Sequence, residues 1–454
     1  MENKTNFATF IRESAWISLG SIVALVGSFI FWVIAGLLSD STQVGYATTA
    51  FSIAALSWGL LNFGLDTAAL REVPVFKKKA YSALLSIALS LGLVAAGLTF
   101  IFSTTYQSFY TFIILASIMA LVGPMSLVSV HSLIGLQNAK MYFLMNIIGF
   151  SSRIVLMVPF LAHGFAGLGI TAAVTASLVI VALFSTIIVA KKLGLEKPAS
   201  GSLRSLLGLG MSNYPAALTA LFVSGGTVFL SILTRNPAQV GSFYIAMMIS
   251  IAAGALGYGI AMAILPALTR ENSIRLKDEA LRLGLALTIP LAIPLLIYPN
   301  NVLALLGPSY ALGVSPLFIL SWIVIPYTAY SIVLKRANAE NLLKKIASAS
   351  LSQLLILLLL MVLLIPRMGT DGAAYAYSIS IVVGLLMLAR MNELLSLIKI
   401  FAIFVMVYLI SLILVAIQIE WIVSLAVLEA ITLVSLLTTR SLKMSDGKIF
   451  FMKR

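Results

Sequence analysis

The stretch FLMNIIGFSSRIVLMVPFLAHG (143–164) is an apolar run long enough to cross a bilayer, interrupted by a single guanidinium. A membrane helix needs about 20 mostly apolar residues, and a charge at its centre costs about 2.5–3.5 kcal/mol on insertion scales. Arg153 lies eleven residues beyond Tyr142, the expected start of the helix. At the helical rise this is roughly 16 Å, near the middle of a hydrocarbon core about 30 Å thick and too deep for relaxed snorkelling. Two readings follow. Arg153 faces a central water-filled cavity, where its planar fork can hold a phosphate, or it is a structural cation satisfied by backbone carbonyls or a neighbouring acid.

Working outward, thirteen further stretches read the same way. The fourteen expected spans are 14–38, 44–69, 82–103, 109–134, 142–162, 166–190, 205–232, 238–267, 283–298, 313–334, 346–365, 370–389, 398–416 and 421–438. No water-soluble domain fits in the short gaps between them. Composition agrees: 61% of residues are hydrophobic, 10% are charged and the mean hydropathy is +1.09, whereas a soluble chain is about a quarter charged. The first span reads as a retained signal anchor, since it is too long for a cleaved signal peptide. The fold class expected is therefore all-α, a polytopic membrane helix bundle.

The basic residues orient it. Of the 29 Lys and Arg, all but Arg153, Arg235 and Arg367 fall at the termini or in alternate loops, such as Lys77–Lys79, Lys191 with Lys192, and Lys344 with Lys345. By the positive-inside rule those loops and both termini are cytoplasmic, in the cell membrane. The net charge of +14 is thus topogenic and faces anionic lipid headgroups, which argues against nucleic acid as a partner. The absence of cysteine excludes disulfides and thiolate chemistry, and two histidines, His131 and His163, are too few for a histidine metal cluster. No Walker loop or paired-acid hydrolase pattern is present, so neither a metal nor a cofactor is expected.

The chain also repeats itself. Gln43-Val44-Gly45 before the second span matches Gln239-Val240-Gly241 before the eighth, and Asn138-Ala139 after the fourth matches Asn338-Ala339 after the tenth. Tyr106 corresponds to Tyr310, and Gly169, Ala173 and Thr175 correspond to Gly372, Ala376 and Ser378. The unit is six helices, an even number, so both copies share one orientation and a transporter-like plan of two lobes follows. The expected divisions are 1–195 (N-lobe), 196–391 (C-lobe) and 392–454 (two extra helices and a basic cytoplasmic tail).

Besides Arg153, several groups stand out. Glu429 is an acid within the last span, either a coupling group or a packing residue. Asn62 and Asp66 share a helix face at the end of the second span, followed by Arg71. Arg12 and Glu13 mark the entry of the first span. These groups form a charged vestibule for a polar headgroup, or else helix-end ion pairs and topology signals. His131 reads as interfacial. Prolines inside the spans, including Pro124, Pro159, Pro215, Pro266, Pro290, Pro294 and Pro326, bend helices and free carbonyls.

The stretches QVGYATTAFSIAALSWGLLNFGLDTAALREVP (43–74), IGLQNAK (134–140), HGFAGLGITAAVTAS (163–177), LLGPSYALGVSPLFILSW (305–322) and GTDGAAYAYSIS (369–380) resemble polysaccharide-transporter proteins over essentially the whole chain. These are oligosaccharide flippases of the multidrug/oligosaccharidyl-lipid/polysaccharide exporter superfamily. The resemblance implies a cavity that opens to alternate sides, a polyprenyl-phosphate- or diphosphate-linked glycan as cargo, and Arg71, Asp66 and Arg12 at family-like charged positions. It departs in the seventh span, where LFVSGGTVFLSILTRNP (221–237) has no acid. Arg153, Arg71 and Arg12 are then the expected phosphate-binding cations, with Asp66, Asn62, Glu13 and Glu429 as vestibule or ion-coupling groups for H+ or Na+. A cation-coupled exporter of drugs or metabolites is the alternative. A glycan ligase or polymerase fits less well, because the external loops are short.

Overall fold

The computed structural model describes residues 2–104, 110–196, 226–254, 274–340 and 342–439, with positions 214, 218, 221, 257, 441 and 442. Within them the chain is helical: α1 (Glu2–Leu38), α2 (Ser41–Leu60), α3 (Leu65–Phe76), α4 (Lys78–Thr104), α5 (Tyr110–Gly135), α6 (Ala139–Ala162), α7 (Ala166–Leu193), α8 (Thr227–Thr234), α9 (Pro237–Ala253), α10 (Ile274–Ile297), α11 (Pro299–Ala304), a 3₁₀ turn (Pro308–Gly313), α12 (Val314–Ala339), α13 (Leu343–Met368), α14 (Thr370–Leu388), α15 (Met391–Ala416) and α16 (Trp421–Thr438). Eleven helices are long and apolar enough to cross a membrane, or twelve when the bent pair α2 and α3 counts as one span. These correspond to twelve of the fourteen expected spans. The other two, 205–232 and 238–267, are described only in part, the second mainly as the shorter apolar helix α9, and Tyr106, Pro215 and Pro266 lie outside the described residues.

The second span departs from expectation. It is broken at 61–64, and its halves meet at 64°. Phe63 (φ 42°) and Gly64 (φ 77°) take left-handed conformations that no helix can continue through. Asp66 consequently sits in the first turn of a separate helix, where the N-terminal dipole favours a carboxylate.

The chain divides into two compact units, Met1–Ile245 and Ala246–Arg454. In the first, the apolar core gathers Leu65, Val73, Tyr81, Leu84, Val128, Leu133, Met145 and Val189 from α3 to α7. Apolar contact alone gives helices no reason to leave lipid, so close packing and interhelical hydrogen bonds specify the bundle. The buried Tyr81 and Ser129 hydroxyls are 3.0 Å apart, and Ser129 reaches the Thr186 hydroxyl at 2.9 Å, tying α4, α5 and α7. Ser52 and Thr227 join α2 to α8 at 2.6 Å. Gln43 Oε1 accepts from the Gly167 amide at 3.0 Å, linking α2 to α7.

The repeated tripeptides meet. Gly45 of α2 abuts the Pro237 carbonyl of α9, and Gly241 of α9 abuts the Ser41 carbonyl of α2. The same 196-residue offset relates both partners of both contacts, so two copies of one motif cross backbone to backbone, and only glycine leaves room for it. The second matched set behaves alike within its own unit. Gly169 packs on Phe160 of the preceding helix, and Gly372 on Leu364 of its preceding helix.

In the second unit, α13 packs on α14, and α10 on α12 and α15. At one end of α12 a charged cluster is buried. Arg336, with a side chain 3% exposed, pairs with Glu393 at 2.8 Å and donates to the Leu388 carbonyl at 3.0 Å. Glu393 also caps α15 by accepting from the Arg390 amide at 2.7 Å, and Arg390 pairs with Glu340 at 2.7 Å. Outward apolar side chains, such as Leu93 and Ile101 on α4, Leu355 and Leu359 on α13, and Ile398 and Ile413 on α15, are exposed, as a lipid-facing surface requires.

Candidate functional site

Five helices of the first unit enclose a cavity of about 240 Å³. Its polar lining is Ser28 from α1, Ser126 and His131 from α5, and Asn146 and Arg153 from α6, with Trp58 of α2 and Phe150 of α6 as its aromatic walls. Asn146, Gly149, Phe150 and Arg153 follow the i, i+3, i+4, i+7 spacing that puts them on one helical face.

Arg153 is held from behind. Its Nε donates to Ser177 Oγ of α7 at 3.1 Å, and that hydroxyl donates to the Gly149 carbonyl at 2.8 Å. Gly149 faces Val181 and Ser177, which brings α7 close enough for the brace. The two Nη groups, with four N–H donors, are left for the cavity. Tyr244 stacks its ring edge-on with Trp32 at 4.8 Å. Helix α6 begins at Ala139, three residues earlier than expected, so Arg153 stands fourteen residues from its start, roughly 21 Å along the axis.

The other expected site residues divide. Glu13 Oε2 accepts from the Ala139 amide at 2.8 Å and so caps the start of α6, a role that also fixes the register of the helix carrying Arg153. Asn62 Nδ2 donates to Asp66 Oδ1 at 3.4 Å, the i,i+4 pair read from sequence, across the break between α2 and α3. Arg12 lies on α1 and Arg71 on α3, but their side chains fall outside the described residues. Glu429 lies half-buried on α16 in the second unit and does not line the cavity.

His131, read from the sequence as interfacial, has a further role. It lines the cavity, with Nδ1 at 2.8 Å from the Leu127 carbonyl. Asn146, Ser126, Ser28 and Trp58 were missed. The polar stripe of α6 was visible in the spacing of Asn146 and Arg153. The others come from different helices and meet only in the fold.

No protein-family model and no curated protein matches the chain. Solved structures do. The lipid II flippase MurJ, in an inward closed conformation, is similar with a TM-score of 0.71 at 14% identity, over 92% of this chain and 97% of its own. The MATE multidrug transporter DinF-BH is similar with a TM-score of 0.58 at 16% identity, over 84% and 93%. A MOP superfamily transporter from Pyrococcus furiosus, in which reverse polarity of the binding pocket suggests a different function, has a TM-score of 0.53 at 16% identity, over 87% and 96%. The chain is a multi-pass membrane protein with a transporter fold. That fold is shared with solved flippase and multidrug-transporter structures alike.

Proposed function

We propose that the protein is a flippase that carries a lipid-linked oligosaccharide or polysaccharide precursor across the cell membrane by alternating access of two six-helix lobes, with both termini in the cytoplasm. The observation that carries this is the braced guanidinium of Arg153, which lines a cavity together with Asn146, His131, Ser28 and Ser126 inside a bundle of helices long and apolar enough to span a membrane. A glycan headgroup cannot cross hydrocarbon unaided, because each unpaired polar group costs several kcal/mol. A wet cavity removes that penalty, and a cation at mid-depth gives the phosphate a place to rest. Glu429 and the Asn62–Asp66 pair are the groups we assign to coupling with H+ or Na+, and Arg12 and Arg71 are the further cations we assign to the phosphate.

No bond of the cargo needs to be made or broken, so the reading is transport rather than catalysis. Its test is reconstitution into liposomes with a fluorescent polyprenyl-diphosphate glycan, reading headgroup accessibility to an external quencher. Transfer of the headgroup between leaflets with the glycolipid chemically unchanged is expected. Unaltered accessibility, or formation of a longer glycan, refutes the proposal.

The second reading, a cation-coupled multidrug or metabolite exporter, is favoured by the similarity to MATE structures. Against it, the cavity lining contains an arginine and a histidine and, among the described residues, no acid, a polarity suited to an anionic cargo. Efflux of cationic dyes from loaded vesicles would favour the exporter.

A further inference from the structure

We infer that Trp58 is the sugar platform of the cavity and that Gly123 exists to seat it. The inference rests on the flippase reading and adds which residue recognises the carbohydrate. Trp58 occupies the last turn of α2, just before the break at 61–64. Its benzo ring lies directly on Gly123 of α5, so closely that a Cβ added there would fall within the indole. The glycine thus leaves a recess in the wall of α5, and the indole fills it. Phe150, the other aromatic in the lining, is fixed in the same manner against Gly27 of α1, where a Cβ would come within 2.7 Å of its ring. Both rings are pinned by helix backbone, so neither has much rotamer freedom to lose when a ligand arrives.

Trp58 borders the cavity that also holds Arg153, Asn146, Ser126 and Ser28. A pyranose has the matching chemistry. Its axial C–H groups form an apolar patch suited to the electron-rich indole face, while its edge carries hydroxyls for Asn146 and the serines. Volume limits how much of the cargo fits. About 240 Å³ is below the roughly 300–1,000 Å³ of pockets for drug-sized ligands, so the cavity takes a phosphate and its attached sugar ring rather than a whole oligosaccharide. Arg153 therefore reads the phosphate, and Trp58 reads the first sugar.

The test measures binding to the full-length protein in nanodiscs with two probes, undecaprenyl phosphate and undecaprenyl phosphate bearing one hexose. The wild type is expected to bind the hexose-bearing lipid about tenfold more tightly than the bare one. Trp58→Ala should erase that preference while leaving affinity for the bare lipid unchanged, which also certifies that the variant is folded. Trp58→Phe should keep most of the preference, and Gly123→Ala should reduce it by displacing the indole. Equal loss for both lipids in Trp58→Ala, a preference that survives Trp58→Ala, or a wild type without preference overturns the assignment while the flippase reading stands. A wild type that binds neither lipid overturns the flippase reading and the assignment with it.

Discussion

Arg153 and its brace give the most direct quantitative prediction. Nε is committed to Ser177, so the two Nη groups are the part of the guanidinium that can fork onto a phosphate. Hydrogen bonds to charged groups contribute about 1.5–3 kcal/mol each, and a cavity that admits water holds them to the lower end. Replacing Arg153 with Ala should therefore weaken binding of a polyprenyl-phosphate glycan by about 2 kcal/mol or more, roughly thirtyfold in Kd, with a matching fall in leaflet transfer at subsaturating lipid. Arg153→Lys keeps the charge but cannot both hold Ser177 through Nε and present a planar fork, so it should restore only part of the loss. Ser177→Ala removes a neutral donor and acceptor that touch no ligand. It should cost about 1 kcal/mol, roughly fivefold in Kd, by letting the guanidinium wander. The decisive measurement is the double variant. If Ser177 acts only by placing Arg153, Arg153→Ala with Ser177→Ala binds no more weakly than Arg153→Ala alone. Simple addition of the two losses would show that Ser177 acts elsewhere, and an unchanged Kd in Arg153→Ala would remove the cation from cargo recognition.

Other substitutions probe the frame. Glu393→Ala removes the closer acid from the buried Arg336, leaving it Glu340 at 3.9 Å and the Leu388 carbonyl, and uncaps α15, so it should destabilise the protein by about 3 kcal/mol, and adding Arg336→Met should recover part of this in thermal unfolding in detergent. Two independent, additive losses would contradict a coupled pair. Ala at Gly45 or at Gly241 forces α2 and α9 apart at one shared contact. Each should cost about 1–3 kcal/mol, and the pair should cost less than the sum, whereas a wild-type melting curve for Gly45→Ala would refute the tight crossing. Glu429→Gln should leave folding and glycolipid affinity unchanged and abolish stimulation of transport by an imposed proton gradient. Stimulation that persists excludes Glu429 from coupling.

The sequence alone determined the solvent and the helical class. Apolar runs of span length have no stable alternative to a helix in lipid, because every backbone polar group must then be paired within its own segment. The repeat was legible for a related reason: Gly45 and Gly241, or Gly169 and Gly372, stand where a neighbouring helix leaves no space for a side chain. Arg153 was legible because a lone cation at that depth is expensive wherever it points. What it points at was not. The brace from Ser177, the recess that Gly123 opens for Trp58, and the turn of His131 into the cavity all join residues from different helices. In a chain apolar on nearly every face, periodicity cannot distinguish the side that meets lipid from the side that meets another helix. Glu13 makes the same point: an acid at a span entrance reads as a vestibule charge, and only the approach of the Ala139 amide from 126 residues away makes it a helix cap. The break at Phe63 and Gly64 likewise became visible only in backbone angles, because a glycine within an apolar run is compatible with an unbroken helix until the surrounding packing selects the left-handed turn.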